Sequence, residues 1–455
     1  MTKKVRLEKE NVGNKKALLF SIIGAVLALI IIVTTLCLVF LNKNDHPNNL
    51  FSKGLVAVKF SDGWGYINKK GDVVISGQFS EATPFSDNGL ALVKLDGYYG
   101  FINTKGKYVV NPIYSDALPF NNSHLTAVKR NGKYGYINEQ GKTIIPLQFD
   151  EASDFCYDLA LVKIGGKYGF INEKGDFVIN PSFDEARSFN NSKLTVVGKL
   201  NSNKEMMYAC VSKKGKLLTD FMLNAVYVSE KYVLTFDGVY YGLCGLDLVP
   251  LFKTSYQIAN FPISLDPFYN LGSKLIPFRD GETYKYGYLN LKGQVVIPAT
   301  YDMIGNFNNG LAMVKKDNKY GFIDTNGKLV VSNKYSIARP FSEGYAVVGN
   351  IDGDNTSYGL IDKNGNVVLD IVYYDLGNVT NGLSYFTTFD SKLIGYINPS
   401  KKVVVPQEYT QVSKNIMAYD VTDDGYIVVR KDDQYGILTK DGKFLVNPYL
   451  VDVKY

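Results

Sequence analysis

The chain has 455 residues, too many for a single hydrophobic core, so several domains or a repeat array are expected. Its 34 tyrosines, 26 phenylalanines and 42 glycines are typical of strands and tight turns, and they predict a mainly β protein. The net charge is +6, but residues 1–16 hold 6 basic and 2 acidic residues. The rest is nearly neutral, which argues against a general nucleic-acid-binding surface.

Residues 17–41 read ALLFSIIGAVLALIIIVTTLCLVFL and contain no charged residue. As a helix they would span roughly 37 Å, enough to cross a bilayer core of about 30 Å. A cleaved signal peptide is disfavoured, because its apolar region is usually about 7 to 15 residues long and this segment offers no small-x-small site. Lipid attachment at Cys37 is disfavoured because Leu36 precedes it. We therefore predict a transmembrane anchor.

The flanks of this segment predict its orientation. Six basic residues precede it, and only Lys43 follows closely. Positively charged flanks stay in the cytoplasm, so we predict a cytoplasmic tail at 1–16, a transmembrane helix at 17–41, a linker at 42–53 and an extracytoplasmic remainder. In that remainder, Cys156, Cys210 and Cys244 are too few and too scattered for a disulfide framework, so we expect them to pack as small hydrophobic residues.

A motif recurs along the rest of the chain, as GWGYINKKG, GYYGFINTKG, GKYGYINEQG and GKYGFINEKG show. A degenerate copy has Ala209 in place of the central glycine. The period near 35 residues indicates about eleven tandem modules. The central glycine occurs at Gly65, Gly100, Gly135, Gly169, Gly242, Gly287, Gly321, Gly359, Gly395 and Gly436.

Residues 89–120 illustrate one module. LALVK and YYGFIN alternate as strands, and Asp96-Gly97 between them predicts a tight hairpin turn. Asn103 begins a turn closed by a left-handed glycine, and YVVNP predicts a third strand ended by Pro112. The glycine inside YYGFIN predicts that another backbone or ring approaches closely there.

Aromatic residues six apart follow the third strand and predict two rings on one face of a short fourth strand or an aromatic-pinned loop. One small module cannot bury both of its faces, so neighbouring modules must stack. The pairs are Phe79 and Phe85, Tyr114 and Phe120, Phe149 and Phe155, Phe183 and Phe189, Tyr301 and Phe307, and Tyr335 and Phe341.

These modules resemble the bacterial WG-containing repeat proteins, which carry a Trp-Gly or Tyr-Gly pair, an aromatic residue, Ile, Asn or Asp, and a glycine turn. The resemblance is good over residues 54–198 and 281–447 and poor over 199–280. It implies an all-β, often surface-exposed protein, and it supports fold and location more than chemistry.

We therefore predict an all-β fold of tandem modules, either propeller-like blades or an open superhelix. Its segments are a first repeat block at 54–198, degenerate repeats with an insertion at 199–280, and a second block at 281–455. Propellers usually have about 4 to 8 blades, so eleven modules favour two sub-arrays or an open superhelix, with the junction in 199–280. Trp64 takes the place of Tyr99 and its counterparts, as a packing residue that caps the unpaired end of the array.

Catalytic chemistry has little support in the sequence. His46 lies in the linker and His124 in a module turn, with no nucleophile motif nearby. Paired carboxylates could serve glycoside hydrolysis, but they recur in every module, so Lys-paired turn carboxylates are favoured. The acidic residues are Glu81, Asp116, Asp150, Glu151, Asp184, Glu185 and Asp302, and the expected partners are Lys94, Lys129, Lys163 and Lys315.

No metal or cofactor site is predicted. The sequence lacks paired Cys/His spacings, and its GKYG motif opens a strand rather than a phosphate-binding helix. NIDGDNTS at 350–357 and VTDDGY at 421–426 are only faintly similar to calcium loops, and a hairpin tip is the preferred interpretation of the first. Glycan stacking on the many aromatic residues is a weaker hypothesis than core packing.

We expect a non-enzymatic, membrane-anchored, extracytoplasmic protein that presents an extended β surface to a protein or cell-wall partner. The alternative is a cell-wall glycan hydrolase with a carboxylate pair, most plausibly in residues 199–280. A sensor that signals through its basic tail would need a cytoplasmic partner. No individual catalytic or binding residue is predicted.

Overall fold

The computed structural model describes residues 49–454, apart from 122, 190–191, 224–225, 229–230, 237–239, 249, 259–272 and 411–419. All of these residues belong to one compact unit, formed by Asn48–Ala259 and Phe268–Tyr455. The predicted tail, the transmembrane segment, His46 and most of the linker lie outside the described residues. Within those residues there is no helix long and apolar enough to cross a bilayer.

The described residues form strands and turns and contain no α-helix, which confirms the all-β prediction. Their strands assemble into eleven small antiparallel sheets, of which ten have four strands and one has three. We number these sheets as blades 1 to 11 in chain order. In a typical blade the chain passes through a short first strand and then three longer strands, and each strand pairs with the next.

The first four blades are the most regular. Blade 1 comprises β1 (Leu55–Phe60), β2 (Gly63–Asn68) and β3 (Val73–Phe79); blade 2 comprises β4 (Glu81–Ala82), β5 (Leu90–Leu95), β6 (Tyr98–Asn103) and β7 (Tyr108–Tyr114); blade 3 comprises β8 (Asp116–Ala117), β9 (Leu125–Arg130), β10 (Lys133–Asn138) and β11 (Thr143–Phe149); blade 4 comprises β12 (Glu151–Cys156), β13 (Leu159–Ile164), β14 (Lys167–Ile171) and β15 (Phe177–Phe183).

Residues 199–280 contribute strands to blades 5, 6 and 7. Blade 5 comprises β16 (Glu185–Ala186), β17 (Leu194–Leu200), β18 (Met206–Ser212) and β19 (Met222–Leu223); blade 6 comprises β20 (Val226–Val228), β21 (Tyr232–Phe236), β22 (Tyr241–Gly245) and β23 (Pro250–Thr254); blade 7 comprises β24 (Gln257–Ile258), β25 (Leu275–Arg279), β26 (Tyr286–Asn290) and β27 (Val295–Tyr301).

The last four blades return to the regular pattern. Blade 8 comprises β28 (Met303–Asn308), β29 (Leu311–Lys316), β30 (Lys319–Asp324) and β31 (Leu329–Tyr335); blade 9 comprises β32 (Ile337–Ala338), β33 (Tyr345–Asp352), β34 (Asn355–Asp362) and β35 (Val367–Tyr373); blade 10 comprises β36 (Asp375–Leu376), β37 (Ser384–Thr387), β38 (Ile394–Ile397) and β39 (Val403–Tyr409); blade 11 comprises β40 (Tyr426–Lys431), β41 (Gln434–Thr439) and β42 (Phe444–Leu450).

The blades close into one ring. The last strand, β43 (Asp452–Lys454), pairs with β1 and supplies the missing first strand of blade 1. Asp424, in blade 11, accepts hydrogen bonds from the backbone amides of Leu50 and Phe51 at 2.8 and 3.1 Å. The propeller-like alternative is therefore confirmed. The expectation of two sub-arrays or an open superhelix is wrong, because the C-terminal strand completes the N-terminal sheet.

Closure also corrects the interpretation of Trp64. This side chain is 9% exposed and packs between blades 1 and 2, as a packing residue should. The array, however, has no unpaired end for it to cap, because β43 covers β1. The Lys454 ammonium lies 5.8 Å from the centre of the indole ring.

Each regular blade buries both of its faces against its two neighbours. In blade 2, Ile102 packs toward blade 1, whereas the adjacent Phe101 packs toward blade 3. The sequence predicted that aromatic residues six apart share one face, and in five of the six pairs both rings enter the same core between blades; these are Phe79 and Phe85, Tyr114 and Phe120, Phe149 and Phe155, Phe183 and Phe189, and Tyr335 and Phe341. The second ring of each pair contacts an aromatic ring of the preceding blade: Phe85–Tyr66, Phe120–Phe101, Phe155–Tyr136, Phe189–Phe170, Phe307–Tyr288 and Phe341–Phe322.

The glycine of the Tyr-Gly pair lies opposite a bulge in the neighbouring strand. Between the pairs Tyr99–Tyr114 and Phe101–Val110, β6 advances by two residues and β7 by four. A Cβ atom on Gly100 would lie 2.6 Å from the Val110 carbonyl oxygen, and one on Gly321 would lie 2.4 Å from that of Val331. The predicted close approach is confirmed, and its source is the last strand of the same blade.

The turns of the module follow the sequence prediction, but its last strand does not end at the proline. Asp96 and Gly97 both have positive φ, as the tight hairpin requires. Asn103 caps the next turn, where its side-chain oxygen accepts from the backbone amides of Lys105 and Lys107. Pro112 lies inside β7, because the bulge accommodates a residue that cannot donate a ladder hydrogen bond.

Candidate functional site

A cluster of one carboxylate, one lysine and one tyrosine recurs at one end of the blades. In blade 2, Lys94 and Tyr99 face each other across β5 and β6, and Lys94 pairs with Glu81 of the short first strand. The Lys94 ammonium donates to Glu81 at 2.8 Å and lies 4.8 Å from the centre of the Tyr99 ring. The Tyr99 hydroxyl donates to the other carboxylate oxygen at 2.8 Å.

The same cluster is built from equivalent positions in neighbouring blades. In blade 4, Lys163 donates to Glu151 at 2.7 Å and lies 4.7 Å from the Tyr168 ring, whose hydroxyl donates to Glu151 at 2.7 Å. In blade 3, the Tyr134 hydroxyl donates to Asp116, and Lys129 lies 4.8 Å from the Tyr134 ring.

Blade 1 draws its version of the cluster from both ends of the chain. Lys59 pairs in register with Trp64 on one side and with Asp452 of β43 on the other. We call the clusters of blades 1 to 4 the charged aromatic row.

Contacts within the row shift the ionisation of its members. Hydrogen bonds from Lys94 and then from Tyr99 hold the pKa of Glu81 below its ordinary value, and the bond to Glu81 raises the pKa of Lys94. Burial, followed by the hydrogen bond to Glu81, raises the pKa of Tyr99. The blade 2 cluster is therefore charged but internally compensated near neutral pH.

A second set of carboxylates ties consecutive blades together. Asp184 accepts from Lys167 of blade 4 at 2.5 Å and from the backbone amide of Leu200 of blade 5 at 3.1 Å. Asp150 accepts in the same way from Lys133, and Asp302 from Lys285. The prediction of lysine-paired carboxylates is thus confirmed for Glu81 with Lys94 and Glu151 with Lys163. For Asp150 and Asp184 the lysine partner lies instead at the start of the third strand of the preceding blade, and for Asp302 it is Lys285, directly before that strand.

In blade 5, a glycine replaces the lysine of the row. Glu185 and Tyr208 occupy the carboxylate and tyrosine positions, but the residue paired with both is Gly198. A pocket of about 230 Å³ lies at this point, lined by Tyr168 of blade 4 and by Glu185, Ala186, Arg187, Val196, Gly198 and Tyr208 of blade 5. The Tyr208 hydroxyl donates to Glu185 at 2.9 Å. Within the described part of the chain, Glu185 forms no ion pair.

Exposed apolar side chains form a second row at the opposite end of the blades. They lie at the start of the last strand, beside the turn that follows the third strand, as Val109 does in blade 2. We call them the apolar edge row: Val73, Val74, Val109, Ile144, Phe177, Val178, Val295, Val296, Leu329, Val367, Val403 and Phe444. Their exposed fractions run from 37% at Val109 and Val178 to 50% at Val73.

The other residues weighed in the sequence lie apart from these rows. His124 is a surface residue, with an 89% exposed side chain whose Nδ1 lies 3.1 Å from the Glu139 carboxylate. Cys156, Cys210 and Cys244 are not disulfide-bonded, and Cys210 is fully buried. No cluster of three or more potential metal-binding His, Cys, Asp or Glu side chains occurs in the described ranges.

The two loops compared with calcium loops make contacts within the fold. Residues 350–357 form a hairpin tip, because Asp352 pairs with Asn355 around Gly353 with its positive φ. In residues 421–426, Thr422 hydrogen-bonds to Asp424 at 2.8 Å, and Asp424 holds the N-terminal segment in place. The sequence pattern gave no signal for this contact, which joins residues far apart in the chain.

The sequence pattern alone does not reveal the blade 5 pocket. The module with Ala209 in place of the central glycine also carries a five-residue insertion in its hairpin, and this shifts the alignment by which Gly198 would be matched with Lys94. Only the strand register establishes that match.

A closed ring of antiparallel, mostly four-stranded blades with a C-terminal closing strand defines a propeller-like repeat protein. The chain belongs to the WG-containing repeat family. The sequence model of this family matches residues 64–99, 99–134, 134–168, 168–199, 286–320, 320–350, 358–387 and 394–435. No curated protein matches the sequence.

Among solved structures, a eukaryotic initiation factor is 12% identical, with 70% of this chain and 95% of that chain covered and a TM-score of 0.34. Hsv2p from Kluyveromyces lactis is 12% identical, with coverages of 62% and 97% and a TM-score of 0.28. The extracellular domain of a protein described as a one-component system from B. thetaiotaomicron is 9% identical, with coverages of 88% and 73% and a TM-score of 0.23. Likenesses this distant carry no functional argument.

Proposed function

We propose that this protein is a non-enzymatic binding scaffold, anchored in a membrane by residues 17–41, whose ring of blades faces the extracytoplasmic side. The observation that carries the proposal is the apolar edge row. Apolar side chains repeated from blade to blade gain free energy when a partner covers them, at roughly 25 cal/mol per Å². A protein or a cell-wall polymer with its own repeating surface suits such a row.

The partner is tested by chemical cross-linking of the full chain in cell envelopes, followed by affinity recovery. A variant with Val74, Val109, Ile144 and Phe177 all changed to Ser interrupts the row over four consecutive blades. We expect it to recover at least about tenfold less partner, because each truncated apolar contact weakens binding by about 1 kcal/mol.

The matched control changes the exposed residues Tyr98, Tyr157, Tyr284 and Ile351, which lie outside the row, to Ser. It should recover as much partner as the wild type. Equal recovery by the row variant and the wild type would contradict the proposal.

The anchor and the absence of catalysis have separate tests. Deletion of residues 17–41 should move the chain from the membrane fraction to the soluble fraction, and an unchanged distribution would contradict the anchor. Purified full-length chain should release no fragments from peptidoglycan. Turnover that is lost on replacement of one particular carboxylate would instead support the hydrolase alternative.

A further inference from the structure

Blades 2 and 4 show what occupies the position that is open in blade 5. In each, the primary ammonium of a lysine on the second strand lies between a carboxylate and the face of a tyrosine ring. The ammonium donates a hydrogen bond to one carboxylate oxygen, and the tyrosine hydroxyl donates to the other. Ion pairing and cation–π attraction favour the same group at the same point.

Blade 5 keeps the carboxylate and the ring but loses the ammonium. Glu185 and Tyr208 hold the same relative register as Glu81 and Tyr99, and the Tyr208 hydroxyl again engages one carboxylate oxygen. The neighbouring Lys199 does not fill the gap, because its ammonium lies over Phe183 and Phe221, at 5.2 and 5.6 Å from the ring centres. The position that is filled from within in blades 2 and 4 is therefore an open pocket in blade 5.

Among the described residues that line this pocket, Arg187 is the one cationic side chain. Its counterpart in blade 9 is Arg339. In that blade, too, a glycine, Gly349, takes the lysine position. Arg339 lies over the Tyr358 ring at 5.6 Å and donates to the Leu376 carbonyl of blade 10 at 2.8 Å. In blade 9 the carboxylate position holds Ile337, and Arg339 forms an ion pair with Asp375 of blade 10 at 3.5 Å. Of these two blades, only blade 5 combines a glycine at the lysine position with an acidic residue, Glu185, at the carboxylate position.

We propose that the blade 5 pocket binds a primary ammonium on an alkyl chain, such as a lysine side chain of a peptide, in the place that Lys94 and Lys163 fill in their own blades. Glu185 accepts the ammonium hydrogen bond, the Tyr208 ring covers it, and Val196 and Tyr168 line the pocket beside the alkyl chain. Arg187, on the same wall, is a donor for a carbonyl or carboxylate oxygen of the ligand. This inference deepens the proposed binding function and rests on it.

The chemistry of the pocket favours a primary ammonium over other cations. A quaternary ammonium has no hydrogen to donate to Glu185. A divalent metal prefers several oxygen ligands, and the described lining of the pocket supplies a single carboxylate. A primary ammonium satisfies both the carboxylate and the ring face, as the chain itself does in blades 2 and 4.

The test is calorimetric titration of the full chain with Nα-acetyl-lysine methylamide, with the Nζ-acetylated form as the matched neutral probe. We expect saturable binding of the first probe at one site per chain and no saturable binding of the second. Glu185→Gln keeps the shape of the side chain but removes its charge, so affinity should fall by about tenfold or more. The equivalent change in blade 4, Glu151→Gln, should leave affinity and stoichiometry unchanged.

Two substitutions test directly whether the pocket of blade 5 is equivalent to the lysine position of blade 4. Gly198→Lys should abolish binding, because the chain then fills its own pocket. The Met206 sulfur, 2.8 Å from the new Cβ, lies on a flexible side chain that can move, and the Tyr208 ring and the Glu185 Cβ, at 3.1 and 3.2 Å, must shift by a few tenths of an ångström. Lys163→Gly opens the equivalent position in blade 4 and should raise the stoichiometry from one site to two. Thermal unfolding of each variant establishes that it is folded.

Failure of the wild type to bind, equal binding of the acetylated probe, or unchanged affinity in folded Glu185→Gln overturns the inference. If the lysine probe fails while the apolar edge row still controls partner recovery, the inference falls and the proposed function stands. If the probe binds as expected but no partner is recovered, the ammonium site stands and the proposed scaffold function falls.

Discussion

Blades 4 and 5 are neighbours in the ring and are consecutive copies of one module. Two of their sequence differences, one on the third strand and one on the second, bear on the features described above. Gly169 in blade 4 becomes Ala209 in blade 5, and Lys163 becomes Gly198. The last strand of blade 4 is seven residues long and bulged, whereas that of blade 5 has two residues. Blade 4 has an internally paired cluster, whereas blade 5 has a pocket.

The comparison teaches that the module has separable parts. The glycine gives space for the bulged last strand, because the Ile179 carbonyl oxygen would lie 2.6 Å from a Cβ on Gly169. The lysine completes the charged cluster and plays no part in that packing. A copy can therefore lose either part and remain in the ring, since the core between blades 4 and 5 is built from other side chains such as Phe170, Phe189 and Val197.

The largest expected effect on stability comes from a side chain placed at the glycine of the Tyr-Gly pair. Gly100→Val, or Gly321→Val in blade 8, should lower the free energy of unfolding by about 3 kcal/mol or more, because the new side chain overlaps the carbonyl of the last strand. Ala209→Gly in blade 5 is the control and should cost only about 1 kcal/mol, through backbone entropy. Chemical denaturation measures both. An unchanged stability of Gly100→Val would show that the bulged strand moves aside freely.

A pH-dependent difference should also separate blades 4 and 5. Burial raises the pKa of Asp154 in blade 4 to about 6, above its ordinary value of about 3.9. The folded chain therefore holds a proton that the unfolded chain has released, and the free energy of unfolding falls as pH rises through about 4 to 6.

Asp154→Asn removes this dependence, and its amide oxygen can still accept from Asn121. At pH 7.5 the variant should be more stable than the wild type by up to about 3 kcal/mol relative to their difference at pH 4. Melting temperatures across this range measure the effect. Ser188 takes the same position in blade 5, so Ser188→Asn should leave the pH profile unchanged. Parallel profiles for wild type and Asp154→Asn would contradict the assignment.

The smallest expected effect concerns the charged cluster. The hydrogen bond from Lys163 lowers the pKa of Glu151, so its stabilising contribution is present above about pH 4.5 and is lost as pH falls through the lowered pKa. Lys163→Met keeps the alkyl chain without the charge and should cost about 0.5 kcal/mol near pH 7, since water screens this half-exposed pair.

Gly198→Lys in blade 5 is the reciprocal change and should add a contribution of the same small size. A loss of several kcal/mol in Lys163→Met would mean that the cluster, and not the aromatic core, holds the blade together. Differential scanning calorimetry at pH 7 and pH 3 distinguishes the two cases, because the cluster contribution disappears at the lower pH.

Local features of the fold were predictable because they depend on residues close together in the chain. The Asp96-Gly97 hairpin, the Asn103 turn and the paired aromatic residues six apart all follow from local backbone preference and side-chain periodicity. The prediction that the strand ends at Pro112 is wrong. A proline inside a strand is tolerated at a bulge, and this bulge depends on pairing with the neighbouring strand β6.

The candidate site was less predictable. Carboxylates and lysines that recur with the module predicted ion pairs correctly for Glu81 and Glu151. The partners of Asp150, Asp184 and Asp302 could not be deduced, because they lie on the preceding blade, at a distance set by how blades pack.

By itself the sequence determined the β module, its repetition and the glycine at each close approach, because these depend on periodicity and backbone preference within about 35 residues. The tertiary structure alone decided that eleven blades close into one ring and that blade 5 carries a pocket. Closure depends on the angle between successive blades and on the pairing of β43 with β1 across nearly the whole chain. The pocket depends on the strand register that places Gly198 where a lysine is expected.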